Sequence, residues 1–155
     1  MAYNPNNPNG QATSANSLPV VIASDQSAIS VGVTPHSVGY TPIYKGVEYT
    51  SAQTGTAIWT PGSGKKFVVT DLTISTGGTT AGIVTVWQGA SADTTYTAGT
   101  DPVVFRGEFA PSATARPGMV KSFTLPFVSS TVDHILRVTT SAAMTVYIQV
   151  NGYEI

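Results

Sequence analysis

Few side chains in this sequence could do chemistry, and their spacing says what each could attempt. Asp133-His134 sets a carboxylate beside an imidazole, with Ser129 and Ser130 just upstream. Such a set could supply an orienting acid, a base and a nucleophile. No Gly-x-Ser-x-Gly elbow or oxyanion-type loop accompanies it, and a turn leading into a strand-edge histidine accounts for the same residues. The other histidine, His36, follows Pro35 in a proline-rich stretch. Asp93 and Asp101 flank a Thr-rich loop that lacks the dense D-x-D-x-D oxygen spacing of calcium loops. Glu48 and Glu108 could be a glycosidase-like pair, but Glu108 alternates with Phe109 and so reads as solvent-facing. Gly62-Ser63-Gly64-Lys65-Lys66 lacks the Ser or Thr after the lysine and the flanking helix of a phosphate-binding loop, which leaves a hairpin turn. The expectation is a protein that is not an enzyme, with no catalytic residues, no cofactor and no metal.

The aromatic residues allow one other activity. Tyr40, Tyr44 and Tyr49 lie close together, and Trp59 and Trp87 fall in apolar runs. Exposed rings could stack on sugar faces. The simpler reading buries both tryptophans in a core and has the tyrosines seal the N-terminal region against it, because aromatic rings usually find burial.

Composition narrows the setting. The chain has 155 residues and a net charge of −1, and charged residues make up only 10% of it; an average soluble protein carries roughly 25%. Its 15 Ser and 23 Thr take that place. The seven basic residues are scattered apart from Lys65-Lys66, which leaves no clustered footprint for nucleic acid. Cysteine is absent, which excludes disulfides, thiolate metal sites and a Cys nucleophile. The opening residues show neither the basic region nor the apolar core of a signal peptide. No run of about 18 apolar residues suggests a membrane span. Nucleic acid and membrane are therefore not expected partners, and assembly is expected in a cytoplasm.

Two regions differ in their physics. Residues 1–45 hold five of the ten prolines, and their charged side chains are Asp25 and, at the very end, Lys45. Proline fixes φ and pushes its predecessor toward extended conformations, so this region is predicted to be an extended arm. At ~3.3 Å per residue it could reach on the order of 130–150 Å. Within it, Ser17–Val31 reads as strand, turn, strand.

Residues 46–155 read as seven or eight short strands, the pattern of an antiparallel β-sandwich or jelly roll. Val68, Thr70, Leu72 and Ile74 share one predicted face, and Ile83 and Trp87 oppose Val84 and Val86. Val103, Phe105 and Phe109 are predicted to point one way, and Phe123, Leu125 and Phe127 form another set. Leu136 with Val138, and Met144, Val146, Ile148 and Val150, complete the core.

The segment Asn9–Val31, NGQATSANSLPVVIASDQSAISV, resembles an N-terminal segment of tailed-bacteriophage and prophage structural proteins, most specifically over Pro19–Ser27. The C-terminal part is similar only in type, to small β domains on phage heads, tails and fibres. The resemblance implies a virion component docked through its arm. The short β domain favours a capsid cement (decoration) protein on the outer surface of the head, bridging neighbouring major capsid proteins. Leu18, Pro19, Val20, Val21, Ile22, Asp25, Gln26, Ile29 and Val31 are the expected partner-binding residues. Val20-Val21-Ile22 would add as a strand or apolar plug to another chain, and Asp25 would cap the following turn. A hairpin covering an edge of the chain's own sandwich remains the alternative. Self-association is expected, as a homotrimer or a dimer. The competing function is a head- or tail-fibre component whose sandwich binds a glycan or host receptor.

Overall fold

The computed structural model describes residues 40–155. The nine arm residues expected to bind a partner, and His36, lie outside the described residues. Eight strands follow one another: β1 (Ile43–Tyr49), β2 (Thr56–Trp59), β3 (Phe67–Gly77), β4 (Gly82–Gly89), β5 (Val103–Phe109), β6 (Gly118–Val128), β7 (Ile135–Thr140) and β8 (Thr145–Glu154). No helix occurs among the described residues.

The strands form two four-stranded sheets, ordered β1-β8-β3-β6 and β2-β7-β4-β5. Every paired ladder is antiparallel. Pairing is nested: β4 meets β5, β3 meets β6, β2 meets β7 and β1 meets β8. The chain is thus one long ribbon folded back at its middle and rolled, which is the jelly-roll arrangement of an eight-stranded sandwich.

Period-2 alternation supplies the driving force. On β8, Val146, Ile148 and Val150 are buried while Tyr147 and Gln149 are exposed. From the facing sheet come Val84, Val86, Leu136 and Val138, all fully buried. Phe67, Val69, Leu72, Ile74 and Trp59 fill the rest of the core. At roughly 25 cal/mol per Å² of apolar area removed from water, this interior stabilises the fold without disulfides.

Three expected faces are corrected where strands bulge. Thr70 is an extra residue in β3, between Val69 and Asp71, so Val69, rather than Thr70, joins Leu72 and Ile74 in the central core cluster, and Val68 is fully buried outside that cluster. A second irregularity, between Val86 and Trp87, turns Val104 inward and leaves Val103 exposed. Leu125, expected beside Phe123 and Phe127, is 85% exposed, because β6 leaves its ladder there. A bulge shifts the phase of every later side chain, which uninterrupted alternation cannot anticipate.

Candidate functional site

The Ser-His-Asp set does not assemble. Asp133 takes a positive φ of 60°, and its Oδ1 accepts from the Gly64 backbone N–H at 2.7 Å. It therefore ties down the Gly62–Lys66 turn. The His134 Nδ1 faces Gln88 Nε2 at 3.1 Å. The Ser130 backbone N–H donates to Gln88 Oε1 at 3.1 Å, which fixes the amide orientation and makes Nε2 the donor to His134. The same Nε2 donates to Ser130 Oγ. A base oriented by a carboxylate needs Nδ1 to donate, whereas here it accepts. Ser129 is buried, with its hydroxyl turned to the Thr131 carbonyl. The cluster is a brace holding the β6–β7 connection to β4.

The remaining nominated residues are also local devices. Asp93 Oδ2 accepts from Ala90 N at 2.8 Å, and Asp101 Oδ2 from Thr97 N at 2.6 Å; each caps its own turn. Among the described residues no group of three or more His, Asp or Glu side chains could hold a metal. Glu48 and Glu108 are exposed on strands of different sheets. Lys66 Nζ donates to the Ser130 carbonyl at 3.0 Å.

Both tryptophans are buried, as expected, but in different places. Trp59 belongs to the central core, and its Nε1 donates to Glu154 Oε1 at 3.0 Å. Trp87 lies on the outer side of β4, covered by Tyr96 at 5.8 Å between ring centroids. Its Nε1 donates to Thr139 Oγ1 at 3.1 Å.

Beside it is a residue the sequence did not nominate. Arg137 is 5% exposed, and both terminal guanidinium nitrogens donate to carbonyls, while Nε is buried without a partner among the described residues. Nη1 donates to Gly55 O at 2.7 Å, and Nη2 to Ala90 O at 3.1 Å and Ser91 O at 2.9 Å. Alternation with Leu136 and Val138 would have put Arg137 in solvent. It does face outward, and the loops before β2 and after β4 cover it. The outer face of the β2-β7-β4-β5 sheet is thereby roofed at this end.

The opposite outer face, on the β1-β8-β3-β6 sheet, carries a groove. Tyr44, Asn151, Asp71 and Ser122 stand in register across all four strands. Two irregularities open the surface beside this row. β3 advances two residues, Val69 to Asp71, where β8 advances one, Gly152 to Asn151. Opposite the same step β6 runs from Phe127 to Ser122, so Phe123–Pro126 swings out as a wall. Pro126 lacks the N–H that would continue the ladder.

Tyr40 stacks on Tyr153 with centroids 4.9 Å apart and planes 18° apart, and Tyr44 is 68% exposed on the adjoining strand. The cavity so bounded is about 400 Å³. Asp71 Oδ1 accepts from Ser122 Oγ at 2.6 Å, and Asn151 Oδ1 is buried with no hydrogen-bond partner among the described residues. Among those residues no cationic side chain lines the groove. Of its residues, sequence reading had singled out Tyr40, Tyr44, Thr70 and Phe123, the last two as members of predicted core faces. The residue types that signal a break in a strand were present, Pro126 within β6 and Asn151-Gly152 within β8.

No protein-family model matches the chain, and no curated protein matches it.

Proposed function

We propose that this chain is a non-enzymatic structural component of a bacteriophage virion, a capsid cement protein on the outside of the assembled head. The observation that carries the reading is the likeness of Asn9–Val31 to the docking segment of phage structural proteins, placed ahead of a small β domain. In this reading Leu18–Ile22, Asp25, Gln26, Ile29 and Val31 bind a neighbouring major capsid protein, and Asp25 also caps the turn between the two apolar runs. An arm with so little charge can be laid on another surface at small desolvation cost. Because it binds only the assembled geometry, it stabilises the shell by mass action. Repetition over many copies multiplies modest contacts.

The test is co-sedimentation with empty mature capsids of the parent phage, comparing the full chain with one lacking residues 1–31. Saturable binding that is lost on deletion, with a raised shell melting temperature, is expected. Full-affinity binding by the truncated chain would discard the arm as anchor, and no binding by either would discard the cement reading.

A second reading, a fibre component whose sandwich meets a host receptor, is favoured by the groove beside Tyr40, Tyr44 and Tyr153. Jelly rolls serve in both viral capsids and lectins, so fold alone does not choose between the two.

A further inference from the structure

We infer that the groove on the β1-β8-β3-β6 sheet binds a neutral pyranose, with the Tyr153 and Tyr44 rings lying against the sugar and Asp71 accepting from its hydroxyls. This deepens the receptor-binding reading and rests on it.

The lining chemistry selects the ligand class. Asp71 presents a carboxylate, one oxygen of which is held by Ser122 Oγ at 2.6 Å. An ionised carboxylate only accepts hydrogen bonds, and among the described residues no Lys, Arg or His lines the groove. Phosphate, sulfate, uronic acids and nucleic acid are therefore repelled, and a ligand rich in hydroxyl donors is favoured. Next to Asp71 in register is Asn151, whose Oδ1 lacks a partner. Turning its carboxamide over exchanges oxygen and nitrogen, so the floor can offer an acceptor or a donor.

The walls select for an apolar face on that same ligand. Tyr40 and Tyr153 brace each other as a stacked pair, which fixes the Tyr153 ring without help from a ligand. Aromatic faces carry negative quadrupole density and attract the weakly positive C–H groups of a pyranose ring. Hydroxyl donors around an apolar face describe a neutral sugar, and a wholly apolar ligand would leave the second Asp71 carboxylate oxygen desolvated without a donor. A cavity of about 400 Å³ lies within the usual range of small-ligand sites, roughly 300–1,000 Å³, and would hold one or two sugar rings.

The experiment is titration of the full-length chain, followed by amide chemical shifts. The probes are methyl α-glucoside, methyl α-mannoside, methyl β-galactoside and their neutral oligosaccharides, with glucuronate and inorganic phosphate as anionic probes. At least one neutral probe is expected to bind in the millimolar range or tighter, with shifts centred on Asp71 and Asn151. Asp71→Asn, which keeps the side-chain shape, and Tyr153→Ala are each expected to weaken it by about tenfold or more. No neutral binding, tighter binding of an anionic probe, or indifference to both substitutions would overturn the inference.

Adsorption of the labelled chain to bacterial envelopes tests the receptor reading separately. Adsorption that the neutral glycosides do not compete would discard the ligand class alone. Absence of adsorption together with glycoside binding would discard the receptor role and keep the site.

Discussion

Gly152 and Val68 approach so closely between β8 and β3 that a Cβ on Gly152 would overlap the Val68 carbonyl oxygen and come within 3.1 Å of the Trp59 ring. The step from Val69 to Asp71 lies immediately beside this contact, so a missing side chain lets the strand bulge and the core close at one place. Gly152→Ala is expected to cost more than about 3 kcal/mol through overpacking against backbone. A urea titration measures it; a loss below about 1 kcal/mol would show that the ladder can shift.

Trp87→Ala should cost about 3–5 kcal/mol, as for a fully buried ring. Its position under the loop after β4, away from the central core, adds a second expectation: hydrogen exchange should quicken around Tyr96 before it does in β8. Uniform loss of protection would mean that the loop and the core melt as one unit.

Arg137→Ala strips the donors from three carbonyls, two of them in the loop after β4, at a cost on the order of 3 kcal/mol. Arg137→Lys should rescue little, since an ammonium cannot fork to both loops. Equal stability of the Lys variant and the parent would show that charge alone suffices.

Tyr49 donates its hydroxyl to the Ala57 carbonyl at 3.2 Å, and burial raises its pKa above the ordinary 10.0. The folded state therefore favours the neutral phenol. Its contribution is fully present below 10.0 and is lost as pH rises through the higher folded value. Between 10.0 and the higher folded value, melting temperatures should fall more steeply in the parent than in Tyr49→Phe, and parallel curves would remove Tyr49 as the cause.

Val120 is 71% exposed, Leu125 85% and Val128 46%, all on β6, an edge strand among the described residues, and edge backbone invites another strand. If copies of the chain associate there, Val120→Lys with Leu125→Lys should turn a trimer or dimer into a folded monomer in sedimentation velocity. An unchanged assembly would place the interface elsewhere, and a monomeric parent would end the expectation of self-association.

The fold was legible in the sequence where alternation runs unbroken. Leu136 with Val138, and Met144 through Val150, took the places their spacing implied. Legibility stopped at Thr70, Val103 and Leu125, because a bulge is set by pairing with a distant strand and leaves only weak local marks. Arg137 was hidden for another reason: loops from elsewhere in the sequence decide whether an outward residue stays wet. The groove was half visible. Tyr40 and Tyr44 announced themselves by nearness in sequence, whereas Asp71 and Asn151 become neighbours only through the register of β3 on β8.

The stacking of Tyr40 on Tyr153 has a mechanical side. Tyr40 grips the strand that pairs with β1 along seven residues in register, Ile43 against Gly152 through Tyr49 against Val146. A pull along the axis of β1 on the chain before Tyr40 therefore meets the ring pair first. It then loads that whole ladder in shear, with every rung resisting together instead of opening one after another.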